Sequence, residues 1–240
     1  MTSVQELRSV IIGLLGFAAA EEQMVLAASP AAEQGSPQRW AAAPLLAHNT
    51  EFKRQQVQRL QAIQLGQTPP EFAEVDHTSI ELYRGYAGQA AAEVARDSNR
   101  VTGELIDGVS LVSADDLRDP SRNPWLKGRQ LWLQIIVRGF WHPAGHLGEY
   151  YLAHSRPDRA VALAAHAVAT ANYLGAPDPA RGMAGYNLAC VLARANLPDE
   201  AAAALREAIM LNPDVRANAT RDPDLAILRD SGRLAAALAS

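Results

Sequence analysis

A stripe of side chains between Trp40 and Leu65 constrains this chain most: Leu45, His48, Phe52, Gln56 or Val57, Leu60 and Ile63. Residues three and four apart project from one face of an α-helix, so the segment reads as an amphipathic helix with a histidine on its inward side. Pro44 fits its first turn, and Gly66 with Pro69-Pro70 closes it. Similar spacing recurs elsewhere. A first helix is predicted over Ser3–Ala28, ended by Ser29-Pro30, and a third over His77–Arg96 with Ile80, Tyr83, Ala87 and Ala91 on one side. A fourth is predicted to start near Trp125 and to carry Trp132, Ile135, Ile136, Phe140, His142, His146 and Tyr150 inward. Between the third and fourth, Asp97 to Pro124 reads as a polar connection. Alternating Val/Ile/Thr runs are few, and Ala and Leu dominate an apolar content of 48%. The expected class is all-α, with four long amphipathic helices closing as a four-helix bundle.

From about Leu147 the pattern changes into an internal repeat. Leu147-Gly148, Tyr151, Ala160, Ala164 and Ala167 match the small and large positions of a tetratricopeptide unit. A second copy follows at Leu188-Ala189, Leu192, Ala201, Leu205, Ala208 and Pro213, with the run Gly175 to Pro179 taking up the extra length. The predicted organisation is a bundle over residues 1–154 and a tetratricopeptide-like helical tail over 155–240. Two such repeats bury too little on their own, since at least about three are usually needed, so the tail is expected to pack on the bundle.

The charge balance excludes some functions. A net charge of −4 with Lys and Arg spread along 240 residues leaves no nucleic-acid footprint. Lys53-Arg54 and Arg59 read as a solvated helix face. A single cysteine, Cys190 in an apolar helical stretch, precludes an intramolecular disulfide and reads as a buried structural thiol. The apolar run Val10–Ala20 is flanked by Glu6, Arg8 and Glu21-Glu22, which suits an amphipathic first helix better than a signal peptide. No run reaches the roughly 18 apolar residues that a membrane span needs, and the predicted location is the cytoplasm.

The chemistry-bearing motif is Gly139-Phe140-Trp141-His142-Pro143-Ala144-Gly145-His146-Leu147-Gly148. Histidines four apart share a helix face and can grip one metal ion. A zinc-protease helix needs Glu directly after its first histidine, and Pro143 stands there instead, so that reaction fails. Pro143 also removes the helical hydrogen bond to residue 139 and should kink or loosen the turn. His48 is the natural third ligand. Three neutral imidazoles leave a metal with open positions, where a water can ionise near neutral pH or a substrate thiol can bind as thiolate. Glu51 and Glu149, each one turn from a candidate ligand, are either imidazole-orienting partners or solvated carboxylates. His77 reads as a helix-terminus residue, and His154 and His166 as exposed. Trp132, Phe140, Trp141, Tyr150 and Tyr151 read as core first and pocket lining second.

Trp40 ahead of Leu45-Leu46-Ala47-His48, together with His142-Pro143-Ala144-Gly145-His146, resembles the DinB-like superfamily over roughly residues 1 to 155, most closely its stress- and toxin-protection branch. The resemblance implies a divalent metal, zinc or nickel, on His48, His142 and His146. It also implies a metal-dependent enzyme, a hydrolase or thiol S-transferase acting on a small electrophile. No residue stands out as general base or nucleophile, so catalytic residues beyond the metal ligands are left unassigned. The alternative is a non-catalytic interaction module working through the repeat tail. Expected partners are a small-molecule substrate, with a protein on the helical repeats and a homodimer as open alternatives, and neither nucleic acid nor membrane.

Overall fold

The computed structural model describes residues 3–30, 33–72 and 80–239, without the side chains of Ile80 and Glu81, and the described residues form no β-strand. The protein is all-α. The predicted role of His77 lies outside the described residues. Contacts divide the chain into two compact units, Met1–Pro143 and Ala144–Ser240.

In the first unit, helix α1 spans Val4–Ala28 and α2 spans Ala42–Gln64. A capping box starts α1: the Glu6 backbone N–H donates to Ser3 Oγ, and the Ser3 N–H donates back to the Glu6 carboxylate at 2.6 Å. By length and composition α1 is apolar enough to cross a membrane. Its inner stripe of Leu7, Val10, Ile11, Leu14, Leu15 and Ala18 is nonetheless buried in the unit's core.

The region expected to hold one helix and a polar connection is built differently. Helix α3 covers only Ile80–Tyr86, and Gly88 turns the chain at a φ of 85°. Helix α4 then runs over Ala91–Leu111 and is the main neighbour of both α1 and α2. Its buried stripe is Val94, Ser98, Val101, Thr102, Leu105 and Val109. Two of those positions are hydroxyls, which is why the stripe reads as polar in the sequence. Short α5, Ala114–Arg118, is capped by Ser113. Helix α6, Leu131–Ile136, passes into a π-helical segment, Val137–Trp141, and then α7, His142–Ala153, within which the division into units falls.

Lys53 corrects a second expectation. Instead of lying on a solvated face, it is 0% exposed and donates to the equally buried Glu22 carboxylate at 2.5 Å. Thr102 Oγ1 lies 3.4 Å from the ammonium, and Ser98 donates to Glu22 at 3.5 Å. The hydroxyls of α4 therefore solvate an ion pair joining α1 and α2.

In the second unit the helices are α8 (Pro157–Tyr173), α9 (Asp178–Arg194), α10 (Pro198–Leu211), α11 (Val215–Ala219), α12 (Ala226–Asp230) and α13 (Arg233–Leu238). Proline opens the first turn of α8, α9 and α10, where a missing N–H costs nothing, and an aspartate beside it favours the positive end of the helix. Helices α8 and α10 each pack along α9. Alanine dominates the contacts, with Ala160, Ala171, Ala180, Ala189, Ala201 and Ala208 all fully buried. Gly182 allows the closest approach: a Cβ there would meet Asn212 and the Ala208 carbonyl oxygen. Cys190 is buried as expected.

Candidate metal centre

Helix α2 directs His48 into the interior, where it is 1% exposed. Its ring centroid lies 4.9 Å from Phe52, 5.5 Å from Trp40, 5.9 Å from Tyr86 and 5.3 Å from the His142 ring. Phe52, one turn along α2, also sits 4.3 Å from His142. An apolar aromatic wall thus surrounds two imidazoles brought from separate helices. Tyr83 extends it by packing on Trp40 at 5.3 Å.

The loosened turn expected at Pro143 is a π-helical segment. The His142 N–H donates to the Val137 carbonyl, five residues back, just before the proline that cannot donate to Gly139. One extra residue in the turn rotates the following helix by about 100°, so the π segment sets the direction in which His142 points. Gly139 is part of this device. A Cβ there would collide with the Leu15 side chain, so glycine lets the widened turn lie against α1.

His146 lies one turn beyond His142 on α7. Its Nδ1 is 2.7 Å from Glu149 Oε2, which leaves Nε2 as the coordinating atom. Glu51, the other carboxylate considered, instead accepts from Arg54 at 3.2 Å. His48, His142 and His146 each present a ring nitrogen, and the three nitrogens lie within 4.8 Å of one another. Tetrahedral coordination at about 2.1 Å needs nitrogens roughly 3.4 Å apart, a separation inside that 4.8 Å limit.

Compared with known protein families, curated proteins and solved structures, the chain matches none.

The aromatics singled out in the sequence serve mainly the core. Trp132, Phe140 and Tyr150 are buried, and the rings facing His48 belong to Trp40, Phe52 and Tyr86. Phe52 was legible as a stripe residue, but nothing in its spacing marks it as a site wall. Tyr86 lies off the predicted stripe of Ile80, Tyr83, Ala87 and Ala91, in the last turn of α3 before the turn at Gly88. Burial, and then the charge of Glu51, push the Tyr86 phenol above its ordinary range, which keeps it protonated as a hydrogen-bond donor near neutral pH. Arg138 stacks 4.8 Å above the Phe52 ring and brings a cation to the outer edge of the wall.

In the second unit, Cys190, Asp222 and Asp224 also place ligand atoms within 4.8 Å of one another. The Tyr186 hydroxyl donates to Asp222 at 2.6 Å, and the Cys190 thiol faces the same oxygen at 3.7 Å. Burial and the Asp222 charge push the thiol far above its ordinary range. Tyr186 and Cys190 thus already engage the Asp222 carboxylate within the protein. The group is a helix-capping hub, with the Asp224 N–H also donating to Asp222 at 2.9 Å.

Proposed function

We propose that His48, His142 and His146 hold one divalent ion, zinc or nickel, and that the chain is a metal-dependent hydrolase or thiol transferase acting on a small electrophile. The observation that carries this reading is the convergence of three imidazole nitrogens to within 4.8 Å. Neutral imidazoles suit zinc and nickel, and a three-nitrogen set leaves open positions on the ion. A divalent ion held there supplies Lewis acidity to a substrate or nucleophile.

The chain's own residues have separable tasks in this proposal. Trp40 and Phe52 line the inner side of the ligands, while His142 and His146 are partly exposed, the His146 side chain at 15%, and offer the side from which a substrate would approach. Glu149 fixes the ring orientation of His146. Protonated Tyr86 can donate a hydrogen bond to a polar substrate group near His48. We further read the first unit as a DinB-like four-helix bundle built on α1, α2, α4 and the α6–α7 run. In that reading the helical hairpins α8/α9 and α9/α10 are tetratricopeptide-like.

An interaction role for the second unit rests on a separate observation. A concavity of about 310 Å³ between α8, α9 and α10 is lined by Val168, Asn172, Arg181, Glu207 and Met210, with Met210 largely exposed. Elemental analysis of protein grown with zinc or nickel decides the metal reading, with about one ion per chain expected and none in a His142→Ala/His146→Ala variant. A panel of epoxides and activated alkenes, assayed with and without low-molecular-weight thiols, tests the reaction class. Turnover undiminished in the double variant would refute a metal-dependent reaction.

A further inference from the structure

The concavity of about 310 Å³ in the second unit is lined by α8, α9 and α10 together. Each helix presents two residues four apart, and so on one face: Val168 and Asn172 from α8, Arg181 and Gly185 from α9, Glu207 and Leu211 from α10. Each pair sets one polar side chain beside an apolar one or beside none. Helices α9 and α10 run antiparallel, which fixes the level of each group. A Cβ on Gly182 would meet Asn212, and one on Gly185 would sit 3.4 Å from that of Ala208. Arg181 therefore stands near the level of Leu211 and Glu207 near that of Gly185, one helical turn or about 6 Å apart along the axis.

These opposite charges do not pair with each other. Arg181 donates through Nη2 to Asp178 on its own helix, and its Nε is buried with no acceptor. Glu207 has neither a hydrogen bond nor an ion pair among the described residues, and the Asn172 side-chain amide makes no hydrogen bond there. A guanidinium has five N–H groups, so Arg181 retains donors beyond the one given to Asp178, and Glu207 retains all its acceptor sites. A donor cation and an acceptor anion held a turn apart in one cavity suit a molecule that carries both charges itself. The walls define its remainder. Val168 and Leu211 are apolar, Gly185 leaves the floor clear, and Met210, 69% exposed, puts an adaptable thioether at the rim. The volume is at the lower end of small-molecule pockets, which run from about 300 to 1,000 Å³.

We propose that this cavity binds an α-amino acid with an aliphatic side chain, its carboxylate on Arg181, its ammonium on Glu207 and its side chain against Val168, Leu211 and Met210. Asn172 and Arg181 flank the turn from α8 into α9, so Asn172 adds an amide donor at the carboxylate end. The site shares no residue with the three histidines and stands without the metal reading. It gives the concavity a small molecule as occupant in place of a protein segment.

Isothermal titration of the full chain with leucine is the test, after dialysis against a chelator because amino acids also bind metal ions. N-acetyl-leucine lacks the ammonium, leucine amide lacks the carboxylate, and N-acetyl-leucine amide lacks both. Saturable leucine binding is expected, with each singly capped form weaker by roughly tenfold or more, since each loses one charge-assisted contact. Glu207→Gln should weaken leucine by a similar factor and leave N-acetyl-leucine unaffected. Arg181→Met should weaken leucine and leave leucine amide unaffected. Glu207 is exposed, so Glu207→Gln should keep the wild-type melting temperature. Absence of saturable leucine binding overturns the proposal, as does unchanged leucine affinity in either variant. Equal or tighter binding of N-acetyl-leucine amide also overturns it, and assigns the cavity to an apolar side chain of a protein partner. If Arg181→Met folds poorly because Asp178 loses its partner, Glu207→Gln with the two singly capped ligands decides alone.

Discussion

The two units bury different chemistry. The interior of Met1–Pro143 contains Glu22, His48, Asn49, Lys53, Gln56, Ser98 and Thr102 among its aliphatic residues. The interior of Ala144–Ser240 is chiefly alanine, leucine and valine, and its polar network joins buried Tyr186 and Cys190 to partly exposed Asp222. Burying an ionic or amide group costs several kcal/mol unless it is paired, whereas alanine packing costs almost nothing beyond backbone order. A unit that maintains so many buried polar groups does so at the expense of stability. That expense is met in part by pairing, as Glu22, Lys53, Ser98 and Thr102 engage one another, and it is intelligible at His48 if the proposed ion is held there, whereas the second unit relies on close helix packing.

The largest effect should come from Lys53. Lys53→Met leaves the Glu22 carboxylate buried and alone, and should cost about 3–5 kcal/mol. Adding Glu22→Leu should restore most of the loss, because a matched apolar pair avoids desolvation altogether. The second unit offers the contrast. Arg194 faces Asp224 at 3.6 Å with both about one-third exposed, and Arg194→Met should cost less than about 1 kcal/mol. Urea denaturation of the three variants measures the contrast directly. Equal losses at Lys53 and Arg194 would erase the distinction between the interiors.

Close helix approach gives the next effects. Gly182→Ala drives a methyl into the Asn212 backbone nitrogen and the Ala208 carbonyl, which cannot rotate away, and should cost about 1–3 kcal/mol. Gly185→Ala, three residues on, meets Ala208 at ordinary contact distances, its methyl at 3.4 Å and its Cα at 3.6 Å. It should be neutral or stabilising by up to about 1 kcal/mol, through helix propensity. Gly139→Ala in the first unit meets the buried Leu15 side chain. It should cost a similar 1–3 kcal/mol, approximately, and also lower metal affinity, since the π segment aims His142. Melting curves alone would not separate Gly139 from Gly182; metal content would.

The first two helices were legible because their stripes are apolar and their ends carry proline, glycine or a capping serine. Helix α4 was not. Its inward Ser98 and Thr102 belong to an ion pair whose members, Glu22 and Lys53, lie 76 and 49 residues away from them in sequence. Pattern reading assigns such positions to solvent, and only tertiary pairing reverses that assignment. The same blindness placed Lys53 on a wet face, and with it Arg59, which stacks on Phe72 and Trp125. The three histidines could be singled out because a histidine on an apolar stripe is itself a signal. The aromatic wall and the stacked arginines carried none, since aromatic residues at helical spacing indicate core wherever they lie. The proline at 143 pointed to a broken turn, but its resolution as a π segment depends on Leu15 and Gly139, which sequence proximity does not connect.

Glu149 provides a finer measure of the proposed metal centre. Its carboxylate fixes one His146 nitrogen at 2.7 Å, so Glu149→Gln keeps the hydrogen bond but weakens the charge that orients and polarises the ring. Metal affinity should fall by about 10–100-fold, with the melting temperature of the metal-free protein unchanged. Competition with a chromophoric chelator reads the affinity. A metal-free protein as destabilised as the variant's metal loss is large would mean that Glu149 acts on packing rather than on the ligand.

The smallest expected effect lies on the surface of the first unit, at Asp97. Burial works against its charge, but hydrogen bonds from Arg100 and from Arg54, at 2.6 Å each, outweigh that penalty and hold its pKa below the usual carboxylate range. The sign follows from linkage. A carboxyl group with a lowered folded pKa stabilises the protein above its unfolded value of about 3.9, and the contribution disappears as pH falls through the folded value. With the partners partly exposed, solvent screening limits the contribution to less than about 1 kcal/mol. Asp97→Asn should therefore be slightly less stable than the wild type at pH 7, and the two should converge as acid takes the wild-type carboxylate to its neutral form. Salt should narrow the same gap, since these pairs are open to ions, while leaving the cost of Lys53→Met nearly untouched. Denaturation at two pH values and two salt concentrations makes the comparison. A salt-sensitive Lys53 effect would mean that the ion pair at the centre of the first unit is open to water, and the contrast between the two interiors would fail at its strongest point.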